Sequence, residues 1–259
     1  MAVAIPRSPW PTGFPDVVVH SDLRARNTHP AYAAAKAGDP QAAKAIVEDL
    51  LAGSAVEQIR TLIAGRRPVL LAVTAEEVSG FNAIPDAMAQ ALAASLGLTA
   101  AAGAVVQANK VAHTRADGWH RLVTPAMFVG AVAAGTDHLL VDDHVGFGGT
   151  LANLRGFVEH RGGRVLGMTT LTETRDARRI ALRAETLGML RGKHGDALER
   201  FWRAEFGHGF ECFTNIEAGY LCRAESVAAI KDRMAQAAEL ARRSGLSSVG
   251  DGLRPAREP

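Results

Sequence analysis

Two adjacent carboxylates stand directly before a glycine-rich turn near the middle of the chain. Residues 138–151 read HLLVDDHVGFGGTL, in which Asp142 and Asp143 follow an apolar run and three glycines precede Thr150. Glycines let backbone N–H groups surround an anion, and the start of a following helix adds about half a positive charge. Two buried carboxylates repel each other, so they suit a partner rich in hydroxyl groups or a divalent cation. The pattern therefore indicates a site for a sugar phosphate.

The elements around this segment should place it at the edge of a sheet. The apolar run Leu139–Val141 is typical of a buried parallel strand, and residues 150–160 are typical of a helix. The turn would then lie at a strand's carboxyl end, where open α/β sheets bind ligands. Further strands are expected at residues 68–75, 100–107 and 164–171, and further helices at residues 30–52 (as two helices), 55–64, 85–96, 125–134 and 225–243. This alternation predicts an α/β fold with a parallel sheet flanked by helices.

The segment resembles the binding motif for phosphoribosyl pyrophosphate (PRPP) of the type I phosphoribosyltransferases. That motif is an apolar strand, Asp-Asp, two variable residues, two commonly small or hydroxylic residues, Gly-Gly-Thr and an apolar residue. The resemblance covers roughly residues 66–172 and implies the type I phosphoribosyltransferase fold. It also implies that Asp142 and Asp143 contact the ribose hydroxyls. The following loop would hold the 5′-phosphate through Gly146, Phe147, Gly148, Gly149 and Thr150.

Two positions of the motif depart from the family pattern. The family usually has Thr, Ser or Ala and then Thr where this chain has Gly146 and Phe147. Up to two hydroxyl donors to the phosphate are therefore absent, and backbone N–H groups must contribute more of the binding. In hypoxanthine-type members an acidic residue occupies the position of Gly146, so its absence argues against that subclass.

A second site is expected in the loop after the first core strand, where the resemblance implies a pyrophosphate-binding loop. Ser79, Gly80 and Asn82 suit this role, because they offer donors and a glycine free to take positive φ. Glu76 and Glu77 would repel pyrophosphate unless they hold Mg²⁺ or point away from it. An ordinary connecting turn is the alternative interpretation.

The stretch between the second expected strand and the next helix is among the most basic in the chain. The resemblance implies a mobile loop here that closes over PRPP and supplies a cation to the departing pyrophosphate. Lys110 and Arg115 are the residues expected to do so, and Arg121 is a further candidate. His113 or His120 could donate a proton or orient a group. The alternative is a solvated basic loop.

Composition favours a folded protein of the cytoplasm. With 259 residues, 47% of them hydrophobic and 22% charged, the chain should bury a substantial core. A net charge of +2 gives no support to nonspecific nucleic-acid binding. Cys212 and Cys222, without a signal-peptide pattern, favour reduced thiols in the cytoplasm. The apolar stretches fall short of the roughly 20 residues that a membrane span needs, so no membrane association is expected.

Three regions are expected along the chain. Residues 1–65 would form an N-terminal arm and helices, a possible hood, residues 66–185 a phosphoribosyltransferase-like core, and residues 186–259 a C-terminal helical extension. The amphipathic helix at 225–243 suits packing on the domain or on a second subunit. We expect a homodimer.

The resemblance implies a transferase of nucleotide metabolism, specifically a pentosyltransferase of the phosphoribosyltransferase type. It would transfer a phosphoribosyl group from Mg²⁺-PRPP to or from a nucleobase or similar small-molecule acceptor, with pyrophosphate as co-product. Asp142 and Asp143, with Lys110 and Arg115, would be the catalytic residues. Mg²⁺ would be held through PRPP, or by one of the two aspartates. The alternative is a regulatory or accessory protein that binds PRPP without turnover. An unrelated Rossmann-like nucleotide binder would need a glycine fingerprint after the first strand, and none is there.

Overall fold

A computed structural model describes residues 7–77, 80–109 and 117–246 of the chain. The strands are β1 (Val18–Val19), β2 (Val69–Ala72), β3 (Glu76–Glu77), β4 (Gly80–Phe81), β5 (Thr99–Ala100), β6 (Val105–Gln107), β7 (Phe128–Gly130), β8 (Asp137–Val145) and β9 (Arg164–Glu173). The helices are α1 (Leu23–Thr28), α2 (Tyr32–Lys36), α3 (Pro40–Leu50), α4 (Gly53–Ile63), α5 (Ile84–Leu96), α6 (Gly118–Val123), α7 (Gly149–Glu159), α8 (Ala184–Phe206), α9 (Asn215–Cys222) and α10 (Val227–Arg243).

The main sheet is parallel and has the strand order β5-β2-β8-β9-β1. Successive residues of a strand point to opposite faces, so each strand contributes to two cores. Leu139 and Val141 pack with α3, α4 and α5 on one face of the sheet, whereas Leu140 packs with α7 on the other. The α/β fold with a helix-flanked parallel sheet is therefore confirmed.

Local sequence signals set several of the helix boundaries. The side chain of Asp39 accepts hydrogen bonds from the first backbone N–H groups of α3, and Pro40 occupies the first helical position. Gly97 ends α5 in the left-handed conformation, with φ of 66°. The sequence predicts two helices within residues 30–52, and Asp39 and Pro40 mark the start of the second. It also predicts a helix at 85–96, and Gly97 marks its end.

Two predicted elements are wrong. The strand expected at 100–107 is split, because only β5 joins the main sheet while β6 forms an antiparallel pair with β7. That partner strand replaces the helix expected at 125–134. Gly130 takes φ of 133° and its Cα lies so close to the backbone of Ala104 that a Cβ could not fit. An extended pair of this closeness is incompatible with an α-helix, and the helix lies earlier, at α6.

The terminal regions join the core in different ways. β1, from the region expected to form a hood, pairs with β9 at the edge of the main sheet. Helices α8, α9 and α10 pack with α6 in a third apolar cluster around Trp202, Phe210 and Phe213. Helix α10 thus packs on its own chain. This is one of the two expected possibilities, and packing on a second subunit is the other. The division at residues 65 and 185 stays a prediction.

Candidate functional site

The carboxylates and the glycine turn lie where the direction of the sheet's connections changes. From β2 the chain first adds β5 on one side and then β8 on the other. The loops after β2 and β8 therefore leave in opposite directions, and a crevice forms between them at the carboxyl ends of the strands. The acidic pair and the turn belong to β8 and the loop that follows it. Ligands of doubly wound sheets bind in such crevices.

Asp142 and Asp143 lie inside β8 rather than after it, because the strand continues to Val145. Asp142 is opposite Thr170 of β9 in the sheet register. Both aspartates are only 7% exposed, and the backbone N–H of Asp143 donates to Oδ1 of Asp142 at 2.8 Å. Burial, together with the neighbouring charge of Asp143, raises the pKa of Asp142 well above its ordinary value. The first aspartate is thus favoured in its neutral form.

Two cations from the N-terminal helices neutralise Asp143. Nζ of Lys36, in α2, lies 3.3 Å from its Oδ2, and Nη1 of Arg26, in α1, lies 3.8 Å away. Burial alone would raise the pKa of Asp143, but the charges of Lys36 and Arg26 lower it below the ordinary value. The pKa values of the two neighbouring carboxyl groups therefore shift in opposite directions, that of Asp142 upward and that of Asp143 downward.

The turn after β8 presents backbone donors. Within the described part of the chain, the N–H groups of Gly146, Phe147 and Gly148 donate to no backbone acceptor. The carbonyl of Phe147 instead accepts a hydrogen bond from Oγ1 of Thr214 at 2.6 Å. Because C=O and N–H of a trans peptide point in opposite directions, the N–H of Gly148 points away from Thr214. Unpaired donors at a helix start suit an anion such as a phosphate.

The glycines of the turn meet different surroundings. Gly148 has φ of 78°, and a Cβ there would lie 2.9 Å from Cγ1 of Ile180. A Cβ on Gly149 would lie 2.9 Å from Oε1 of Glu217, whose carboxylate is ion-paired with Arg7. The space that a side chain of Gly149 would need is therefore already filled by protein atoms. At Gly146, no atom lies within 3.4 Å of the Cβ position. Thr150, which follows them in the first turn of α7, is half-buried.

An arginine stands beside the turn. The guanidinium carbon of Arg121, in α6, lies 5.7 Å from the centre of the Phe147 ring, and Nη1 would be 3.7 Å from a Cβ at Gly146. Burial lowers the pKa of Arg121, and the charge of Asp117 opposes that shift. The sequence names Arg121 only as a further candidate, yet among the described residues it is the one cation of the basic segment shown next to the turn.

The imidazole of His144 is held by two hydroxyl groups. Nδ1 lies 2.9 Å from Oγ1 of Thr172, and Nε2 lies 2.8 Å from Oγ1 of Thr174. Burial, with the positive charge of Arg26, lowers the pKa of His144 to about 4. This residue is therefore neutral at pH 7 and adds no charge to the crevice.

The loop after β2 packs against the end of α2. Gly80 has φ of 130°, and a Cβ there would lie 2.6 Å from the carbonyl oxygen of Ala37. The loop thus contacts the residue that follows Lys36 in the sequence. Asn82 is buried, and its Oδ1 accepts from the N–H of Ile84 at 3.2 Å, so its amide oxygen serves the loop itself. Ser79 lies outside the described residues, as do the side chains of Glu76 and Glu77.

Lys110 and Arg115, like His113, lie outside the described residues, and their expected roles stay predictions. Asn109 and Asp117, on either side of this segment, both make hydrogen bonds. Nδ2 of Asn109 donates to the carbonyl of Pro125 at 2.9 Å, and Asp117 accepts from the N–H of His120 at 2.8 Å as the N-cap of α6. In the described ranges, no cluster of three or more His, Cys, Asp or Glu side chains has the arrangement of a metal site.

The sequence interpretation missed both cations that neutralise Asp143. Arg26 and Lys36 lie more than a hundred residues before the motif, in two short helices. No local pattern marks either of them. A Lys among alanines, two residues before Gly38, is typical of any helix end.

Comparison with known proteins gives relatives by sequence and a likeness by structure. No family model matches the chain. The chain is 40% identical over 253 residues to Protein TraN of Escherichia coli, a match that covers 97% of this chain and 56% of that protein. It is 38% identical over 152 residues to an uncharacterized protein of Haemophilus influenzae, covering 59% of this chain and 34% of the relative. The chain thus spans about half the length of the first relative and a third of the second.

Among solved structures, the chain is similar to an adenine phosphoribosyltransferase with 14% identity and a TM-score of 0.34, over 54% of this chain and 74% of that chain. The adenine phosphoribosyltransferase of Leishmania donovani gives 14% identity and a TM-score of 0.31, over 55% and 70% of the two chains. None of the described helices has both the length and the apolar character that crossing a bilayer requires. The assignment of the site depends on its own geometry.

Proposed function

We propose that this protein binds Mg²⁺-PRPP in the crevice between β2 and β8 and transfers its phosphoribosyl group to a nucleobase or similar small acceptor. The observation that carries the proposal is the coincidence, at the switch point of a parallel sheet, of a buried acidic pair and a row of unpaired N–H donors. Asp142 and Asp143 would contact the ribose hydroxyls, and residues 146–150 would hold the 5′-phosphate. Of this row, Gly146 and Phe147 are half-buried, whereas Gly148 is buried.

The charge distribution of the crevice supports a ligand with phosphates at both ends of a sugar. Arg121 lies beside the glycine turn, and Lys36 lies beside Asp143 and is followed by Ala37, whose carbonyl packs against Gly80. A phosphate on the turn and a pyrophosphate near Lys36 would each meet a cation, while the ribose between them meets carboxyl groups. Complementary charges of this kind orient a ligand as well as attract it.

The reaction breaks the bond from C1 of ribose to pyrophosphate and forms a bond from C1 to a nucleophilic atom of the acceptor, with inversion at that carbon. The protein's contribution would be mainly positioning and charge stabilisation. The turn would fix the 5′ end, the acidic pair would fix the ribose, and cations would stabilise the charge that develops on the leaving pyrophosphate. The same contacts serve the reverse direction.

Magnesium would enter as part of the substrate. Asp143 already has Lys36 and Arg26 within 4 Å, and the raised pKa of Asp142 favours its neutral form. A carboxylate neutralised by two cations is a poor ligand for a dication. The acidic pair therefore does not fit a protein-held metal site, and the oxygens of PRPP would be the ligands of Mg²⁺.

Binding of PRPP without turnover is the second candidate. Phe147 occupies a position where the family usually has a hydroxyl group, and its ring packs edge-on against Tyr220 with centroids 5.2 Å apart. The phosphate would therefore depend on backbone donors. Such donors can bind PRPP without catalysing its transfer. Such a regulatory or accessory protein would respond to PRPP through its partners or its oligomeric state.

Pyrophosphate release separates the two candidates. The protein is incubated with PRPP, Mg²⁺ and a panel of nucleobases and related acceptors, and PRPP affinity is measured by calorimetry. For a transferase, Lys110→Ala and Arg115→Ala should lower turnover by at least about tenfold while changing PRPP affinity less, because contacts to a leaving group form mainly in the transition state. PRPP binding with no release from any acceptor would establish the binding-only alternative. Equal losses of rate and affinity would make both residues ordinary ligand contacts.

Lys36→Met tests the pyrophosphate end of the site. Nζ of Lys36 lies 3.3 Å from Asp143, and the next residue, Ala37, packs against Gly80. Removal of Lys36 should weaken PRPP binding about tenfold and ribose 5-phosphate binding much less, because only PRPP carries a pyrophosphate. Calorimetry with both ligands measures the difference. The control is Lys44→Met in α3, which removes an exposed lysine that pairs only with Glu48 in the described structure. Equal losses for the two ligands would remove Lys36 from the pyrophosphate site.

The remaining expectations concern the setting of the protein. Both cysteines are free thiols in the structure. We propose that the protein is cytoplasmic, where thiols stay reduced. We also propose a homodimer, which sedimentation equilibrium would test directly. A monomer across the micromolar range would contradict it.

A further inference from the structure

A second pocket opens between α6, α9 and α10, among elements that lie outside the PRPP motif. Its volume is about 240 Å³, which is below the range of about 300–1,000 Å³ typical of sites for drug-sized ligands. The pocket is lined by Trp119, Tyr220, Arg223, Ala224, Glu225, Ala229 and Arg233. A small molecule of one or two rings is the occupant that this size suits.

Two aromatic rings form one wall of the pocket. Trp119 and Tyr220 meet edge to face with centroids 5.0 Å apart, and both are half-buried. Gly118 makes this packing possible, because a Cβ at that position would overlap the ring of Tyr220. Tyr220 also contacts Phe147 of the glycine turn, at 5.2 Å between centroids. Both rings line the pocket, so a flat ligand can pack against them.

Two guanidinium groups accompany these rings. The guanidinium carbon of Arg223 lies 5.3 Å from the centre of the Tyr220 ring, and that of Arg233 lies 5.9 Å from the Trp119 ring. In the part of the chain that the structure describes, neither arginine has a carboxylate within ion-pair distance, whereas Arg242 and Arg243 at the end of the same α10 both pair with Glu239. Glu225 is the one acid in the pocket lining, so the lining carries a net positive charge.

We propose that this pocket binds a planar ring that carries a carboxylate, with the ring against Trp119 and Tyr220 and the carboxylate between Arg223 and Arg233. The fork of an arginine matches the two oxygens of a carboxylate, and two arginines without carboxylate partners leave such donors available. The rings supply the surface against which a flat molecule packs. The site takes no residue from the PRPP motif, so this inference goes beyond the proposed transfer reaction and holds without it.

Matched acids and neutral analogues test the pocket. The full chain is titrated with orotate and nicotinate, and with uracil and nicotinamide as their uncharged counterparts, using saturation-transfer NMR and calorimetry. At least one acid should bind about tenfold or more tightly than its neutral analogue, because a charge-assisted hydrogen bond contributes that much. Failure of both acids to bind, or equal affinity for the acid and its analogue, would overturn the proposal.

Variants localise the binding to the pocket. The double substitution Arg223→Ala with Arg233→Ala should abolish the preference for the acid, and Trp119→Phe should weaken both members of a pair. Arg242→Ala with Arg243→Ala removes the same charge from α10 outside the pocket and should leave binding unchanged. Both arginines of the pocket are exposed, and thermal melting verifies the fold. Unchanged acid binding in the Arg223 and Arg233 variant would also overturn the proposal. PRPP affinity is measured in the same samples. Loss of binding in the pocket can then be distinguished from loss of binding at the PRPP site.

Discussion

Asp143→Asn is expected to weaken PRPP binding by about tenfold to a hundredfold, which is the effect of losing a charge-assisted hydrogen bond of about 1.5–3 kcal/mol. The charges of Lys36 and Arg26 lower the pKa of Asp143, and its carboxylate lies within 4 Å of both cations. The substitution leaves two cations facing a neutral amide, so the apo protein should lose stability as well. Calorimetric titration with PRPP and Mg²⁺, together with urea unfolding, measures both effects.

Asp142→Asn is the matched comparison. The raised pKa of Asp142 favours a neutral carboxyl group, and an asparagine has the same shape. The oxygen of its amide can still accept the hydrogen bond from the N–H of Asp143. We therefore expect a loss of PRPP affinity smaller than that of Asp143→Asn by about tenfold, with little change in stability. Wild-type PRPP affinity in both folded variants would remove the acidic pair from the site.

Gly148→Val should abolish binding of PRPP and of ribose 5-phosphate together. A branched side chain at φ of 78° costs about 1–3 kcal/mol of backbone strain. Its Cβ would also press on Ile180 and on Cγ2 of Thr214, which adds about 1–3 kcal/mol of overpacking. The variant should therefore unfold at lower urea concentration as well as lose the phosphate site. Retained binding of ribose 5-phosphate would place the phosphate elsewhere.

Gly146→Ala separates the phosphate site from the packing of the turn. Gly146 does not have positive φ, and the nearest atom to a Cβ there is Nη1 of Arg121, at 3.7 Å. The alanine should leave urea unfolding unchanged and reduce phosphate binding only slightly, since backbone N–H groups are the donors. A stability loss as large as that of Gly148→Val would mean that the two glycines have the same structural role.

The local part of the site can be predicted from the sequence alone. The order of strand, acidic pair, glycine turn and helix is contiguous, and β8 and α7 have that order. Alternating apolar residues and helix caps depend on neighbours a few residues away, so their patterns can be recognised along the chain. Even there, the apolar run Leu139–Val141 predicts an end of β8 that is too early, because the strand continues to Val145. Hydrogen bonds from β9 extend the strand through both aspartates, and a partner strand is not visible in the sequence of β8.

The surroundings of that segment depend on tertiary packing. Lys36, Arg26 and Arg121 reach the acidic pair and the turn from separate helices, and Thr214 holds the turn from the C-terminal region. The β6–β7 pair likewise replaced a helix that the alanine-rich sequence favoured, because tertiary packing outweighs local propensity. Contacts between residues distant in the chain depend on how whole elements pack. The charge state of Asp142 and Asp143 depends on burial and neighbours brought together in this way, and a single sequence does not encode it locally.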